Sequence, residues 1–141
     1  MLGMLSGCGG AANRGQSTAN SVGEAASAAA HFTHQQELVE QGGRLFVSDG
    51  CTGCHSLDRS SRLGPSFGHL AGSRVTLTSG RRTVVDEHFL RAALTDPGAN
   101  SVVGYSPAPM IAAVRRAMLS EHAEDVSALA AFIEQIGPEN G

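Results

Sequence analysis

Three chemically reactive side chains stand together in Cys51-Thr52-Gly53-Cys54-His55. A thiol pair at this spacing serves thiol–disulfide exchange, zinc ligation or covalent attachment of haem. Exchange chemistry of the thioredoxin type wants a βαβ setting, whereas here a helical pattern precedes the pair and a Gly/Ser-rich loop follows. A structural zinc ion needs four ligands, and no second Cys pair exists; the third cysteine, Cys8, lies far off across a low-complexity segment. The adjacent histidine decides for haem. Two thiols a helical step apart can each form a thioether to a vinyl group, and the imidazole of His55 is then aimed at the iron.

What such an iron can do depends on its sixth ligand. A second strong ligand favours electron transfer, and an open position admits peroxide or gases. Met110, Met118, His69, His88 and His122 carry suitable donors. Met110 is the preferred candidate, because Val102 to Met110 is rich in Pro and reads as a loop before the last helix, with extended backbone to cross a haem face. Met118 reads as a core filler, His88 and His122 as solvent-facing residues of first helical turns, and His69 as an exposed loop residue. His31 and His34 fall at the tether and helix start. A haem enzyme would need proton-transferring groups near an open iron, for which His69 and Arg74 are the candidates.

The elements that must position these groups follow from periodicity and punctuation. A chain of 141 residues with 41% hydrophobic content suits one domain. Thr33 and Gln36 have the spacing of a capping box, and Leu38, Gly42, Leu45 and Phe46 then share a helical face to about Ser48. Asp86 is an N-cap for a helix reaching Asp96, where Pro97 ends it, with Phe89, Leu90, Ala93 and Leu94 inward. A last helix follows Ser120, with Glu121, Glu124 and Asp125 at its positive end. Its apolar face is Val126, Leu129, Ala130, Ile133 and Ile136, and Gly137-Pro138 closes it. β-Branched residues around Ser79-Gly80, from Arg74 to Val85, predict a short hairpin. The expected fold is mostly α with a small β-hairpin insertion.

Composition narrows the classes further. With no Trp, one Tyr and five Phe, the core is short of flat apolar area, which a buried haem would supply. A net charge of −3 with scattered basic residues, all ten of them Arg, excludes an electrostatic footprint for nucleic acid. No stretch reaches the roughly 20 apolar residues of a membrane-spanning helix. Leu5-Ser6-Gly7-Cys8 resembles the lipobox of bacterial lipoproteins, in which the cysteine is acylated. Residues 1–8 therefore read as a truncated lipoprotein signal, 9–34 as a flexible Ala/Ser/Gly-rich tether, 35–137 as the folded domain and 138–141 as a tail.

Together these residues resemble a monohaem class I c-type cytochrome, and more narrowly the cytochrome c domain attached to subunit II of some haem-copper oxidases. The resemblance covers about residues 35–137. Gly42 and Phe46 resemble the N-terminal helix of the family, with Leu129 and Phe132 as their partners on the C-terminal helix. Gly64-Pro65 resembles the family's Gly-Pro, whose proline carbonyl accepts from Nδ1 of the axial histidine. Val103-Gly104-Tyr105 resembles an element placed before the distal methionine, which maps onto Met110, although here Pro109 precedes it directly. The resemblance implies three to four helices around one covalent haem c on Cys51 and Cys54, with His55 and Met110 as axial ligands and Gly64, Pro65 and Tyr105 around them. It implies an electron-transfer protein, not an enzyme, acting in the periplasm or at an outward membrane face. Its partners would be redox proteins such as a respiratory complex or terminal oxidase, with a membrane anchor at Cys8 and neither a small-molecule substrate nor nucleic acid.

Overall fold

A computed structural model describes residues 16–136. The lipobox with Cys8, the first part of the expected tether and the tail 138–141 lie outside the described residues. The protein is mostly helical, with one small antiparallel sheet. In chain order come α1 (Gln16–Ser48), a 3₁₀ turn (Cys51–Gly53), β1 (Arg74–Thr76), β2 (Arg82–Val84), α2 (Glu87–Thr95), α3 (Pro107–Arg116) and α4 (Ala123–Gln135). The chain divides into two units between Thr33 and His34.

In the first unit, α1 is helical from Gln16, where a flexible tether was expected. Side chains from Val22 to Thr33 are exposed, so no buried stripe marks this helix in the sequence. It is built on the high helix propensity of its alanines. Thr33 is consequently no N-cap: it sits inside α1, and its hydroxyl donates to the Ala29 carbonyl at 3.0 Å.

The second unit is organised by α4, whose Val126, Leu129, Ala130 and Ile133 are buried. Val126, Leu129 and Ile133 each contribute about 1.5–3 kcal/mol on burial, and the Ala130 methyl about 0.8 kcal/mol. The part of α1 in this unit meets α4 at Gly42, where the two backbones come so close that a Cβ would stand 2.0 Å from the Ala128 carbonyl oxygen and 2.6 Å from Phe132 Cβ. Phe46, one turn on, packs its ring 5.5 Å from that of Phe132. The partners of Gly42 are thus Ala128 and Phe132; Leu129 is buried against the cavity described below. Gln41 adds a hydrogen bond to Asp125 at 2.9 Å.

α2 begins as its cap residue dictates, with the Asp86 carboxylate accepting from the Phe89 N–H at 2.8 Å. Phe89, Leu90 and Leu94 face the core. The hairpin pairs Arg74 with Val84 and Thr76 with Arg82, turning through Ser79-Gly80. Thr78 N–H then bonds to Ser101 O, and Val103 N–H to Thr76 O, both at 2.9 Å. These bonds tie the hairpin to the segment that leads into α3.

The stretch carrying Met110 was expected as an extended loop, but it is helical. Pro107 occupies the first turn of α3, where the N–H groups have no intrahelical acceptor and a proline costs nothing. Met118 is not a core filler: it is 50% exposed and has φ 51°. There it ends α3 in a Schellman arrangement, with Leu119 N–H on Val114 O and Met118 N–H on Arg115 O, both 3.2 Å.

The crossing at Gly42 leaves no room for a side chain. Gly42→Ala forces α1 off Ala128 and should cost about 2–3 kcal/mol, read as a lowered denaturant midpoint. A midpoint equal to wild type would contradict the close approach.

Candidate functional site

The reactive triad sits on a single turn after α1. Cys54 N–H and His55 N–H both bond to Cys51 O, at 3.1 and 2.9 Å, so the two thiols and the imidazole are carried by one rigid piece of backbone. The loop that follows has little regular structure of its own and is closed by specific bonds. Gly64 N–H donates to Cys54 O at 2.9 Å and Phe67 N–H to Ser56 O at 2.8 Å. The buried Ser56 hydroxyl donates to Ser60 O at 2.6 Å.

This closed loop builds the setting of His55. Its Nδ1 lies 2.8 Å from the Pro65 carbonyl oxygen. A carbonyl only accepts, so Nδ1 carries the proton and, in the neutral ring, Nε2 keeps its lone pair. Burial pushes the imidazole pKa below its ordinary range, with the Pro65 bond opposing part of that shift; the ring therefore favours its neutral, ligating form. Gly64 lies against the imidazole, since a Cβ there would stand 2.4 Å from His55 Cε1 and 2.8 Å from each ring nitrogen. Phe67 stacks on it with ring centroids 4.4 Å apart and planes 25° apart.

Cys51, Cys54 and His55 open onto a cavity of about 290 Å³. Its walls are mostly apolar and come from α2, α3, α4 and the loops between them, with Leu90, Leu94, Val114 and Ile133 among them. Gly64, Pro65, Tyr105 and Met110 line the same cavity. The tyrosine hydroxyl lies 3.3 Å from that of Ser61. Burial, with Asp49 adding to it, pushes the Cys51 thiol pKa up while Arg116 pulls it slightly down. Such a thiol is a weak nucleophile near neutral pH.

Among the described residues, no three His, Cys, Asp or Glu side chains are grouped to hold a bare metal ion. The donor set instead fits a haem: two thiols on one turn, an imidazole with Nε2 as its free donor, a thioether sulfur on α3, and apolar walls.

The other candidate donors do not line this cavity. Met118 is exposed, and His88 is exposed on α2. His122 keeps 43% of its side chain exposed, as expected, with Nδ1 3.8 Å from the Glu124 carboxylate. His69 was expected to be exposed, but it is half-buried and accepts from Arg59 Nε at 2.5 Å. Its φ is 69°.

Two participants were not expected. Phe67 is brought to His55 by tertiary folding of an irregular loop, which leaves no periodic signal. Arg116 reaches the cavity from α3. On α3 the i+3, i+4 and i+7 positions from Met110, which are Ala113, Val114 and Ala117, form one helical face toward the cavity, a period that is the signal in the sequence for this wall.

Set against known proteins, the chain matches no family model and no curated protein.

The seat of the imidazole is directly testable. Gly64→Ala should push the ring off its carbonyl partner and cost about 1–3 kcal/mol. The His55 ring ¹⁵N signals should move with the lost Nδ1–H bond; unchanged signals in a stable variant would contradict the contact.

Proposed function

We propose that this chain is a monohaem c-type cytochrome of the class I kind, with three to four helices around one haem. It passes single electrons at the outer face of a membrane, as a carrier or as the electron-entry subunit of a respiratory complex of the oxidase type. The observation that carries this reading is the convergence of Cys51, Cys54, His55 and Met110 on one apolar cavity. A haem bound there supplies a reversible one-electron couple.

The chain's own residues supply the rest. Cys51 and Cys54, which share one turn and both line the cavity, would hold the group through thioethers. His55 would offer Nε2 to the iron, because Pro65 occupies Nδ1. Met110 offers its sulfur from α3, a soft ligand that favours the reduced state and raises the potential. Phe89, Leu90, Leu94, Val114, Leu129 and Ile133 belong both to the hydrophobic core and to the cavity wall. They exclude water, so a change of charge at the site meets little solvent reorganisation. Tyr105 stands at the wall near the surface loop of Ser61.

A dithiol exchange site fits less well, because Cys51 has a raised pKa and a helix, not a βαβ unit, precedes the pair. A peroxide- or gas-reactive site fits less well because His69 and Arg74, the candidates for proton transfer at an open iron, do not line the cavity. Partners of the proposed carrier are redox proteins, with no small-molecule substrate and no nucleic acid. Attachment through thioethers in proteins of this kind takes place outside the cytoplasm, which assigns the chain to the periplasm or an outward membrane face. Among the described residues no helix is long and apolar enough to cross a membrane. Acylation at Cys8 is the proposed anchor.

The test replaces Met110. The reduced wild-type protein should be low-spin and refuse carbon monoxide, while Met110→Ala should lose the low-spin spectrum and bind it. An unchanged low-spin spectrum in Met110→Ala would remove Met110 from the iron, and rapid CO binding by the wild type would overturn the electron-carrier reading.

A further inference from the structure

A hydrogen bond from Nδ1 to Pro65 fixes the direction of one ring atom of His55, but it restrains the tilt of the ring plane only weakly. The plane is set by what lies flat against it. That group is Phe67, nearly parallel to the imidazole at 25° and 4.4 Å between centroids. Phe67 is itself tightly held: it is 6% exposed, and its N–H is bonded to Ser56 O at 2.8 Å. Its ring lies 5.5 Å from that of Phe46, and Phe46 lies 5.5 Å from Phe132.

Phe132 in turn covers the α1–α4 crossing, where a Cβ on Gly43 would stand 3.2 Å from its Cε2. Three of the five phenylalanines of the chain therefore form one file from the helix crossing to His55. Side chains in such a file move little independently, because each ring fills the space that its neighbour would need.

We infer that Phe67 is a positioning residue for His55. Its stacked ring fixes the plane of the imidazole, and the file through Phe46 and Phe132 anchors Phe67 to the crossing of α1 and α4. This inference rests on the reading of His55 as an iron ligand. The rotation of a ligand imidazole about its bond to a metal determines which metal orbitals it overlaps, so groups that hold the ring also tune the metal. A ring held by one hydrogen bond would sample several tilts. A ring held by that bond, the Gly64 backbone and Phe67 keeps one.

The experiment uses the full chain produced with its haem attached and ¹⁵N-labelled at histidine. It compares Phe67→Leu, Phe67→Tyr and Leu77→Ala with wild type. Leu77 is 1% exposed and lies away from the cavity, so Leu77→Ala reports a loss of core packing without a change at His55.

In the reduced protein, Phe67→Leu should speed solvent exchange of the His55 Nδ1 proton roughly 2- to 10-fold, the range that an aromatic stack is worth. In the oxidised protein it should shift the low-spin g values. Phe67→Tyr keeps the stacked ring and should retain wild-type values, and Leu77→Ala should lose stability without either change. If Phe67→Leu does not mature, Phe67→Met fills a similar volume without a ring and gives the same readouts.

Exchange and g values equal to wild type in the ring-less variant would overturn the inference, as would the same change in Leu77→Ala. A wild-type protein that takes up no covalent haem would instead overturn the proposed function. Nδ1 exchange in that haem-free chain would still report whether Phe67 holds the ring, and an unaltered rate in Phe67→Leu would overturn the positioning role there too.

Discussion

The hydrogen bond from His55 Nδ1 to the Pro65 carbonyl is the interaction on which the rest of the site depends. It spans a loop with little regular structure and gives that loop a fixed end. It also determines which imidazole nitrogen faces outward with a lone pair. A bond of this kind contributes only about 0.5–1.5 kcal/mol net, so it cannot hold the loop alone. The bonds of Gly64 and Phe67 to the backbone of Cys54 and Ser56 share the work, and Gly64 permits the close seat that the ring requires.

Behind that seat the core is arranged in two parts with different jobs. α1 and α4 meet through Gly42 and Ala128, a contact that depends on a missing side chain and therefore tolerates almost no change. α2 and α3 contribute aliphatic side chains to the cavity, where volume matters more than identity. The phenylalanine file joins the two parts. In a chain with only 4% aromatic residues, a file of three rings that ends on one histidine ties the rigid crossing to the site.

Much of this frame was legible in the sequence, for physical reasons that differ by element. α2 and the body of α4 were readable because Phe89, Leu90 and Leu94, and Val126, Leu129 and Ile133, recur at helical spacing and are buried. The hairpin was readable from β-branched residues around Ser79-Gly80. α3 was not, because Pro107 and Pro109 look like loop residues unless they are placed in a first turn, where they cost no hydrogen bond. The early part of α1 was not, because an Ala-rich helix with exposed side chains has no apolar period. At the site, the adjacency of Cys51, Cys54 and His55 is written in the sequence. The stacking of Phe67 and the approach of Arg116 are tertiary facts, and no local pattern encodes them.

The central claim is that Cys51 and Cys54 carry a haem covalently. The most direct measurement is the mass of the full chain, produced in cells that can attach haem and extracted with acidified organic solvent, followed by mapping of its peptides. The expected result is one haem retained through extraction, located on the peptide containing Cys51 and Cys54, with both thiols closed to alkylation. A chain that keeps no haem and whose two cysteines both alkylate freely would contradict it.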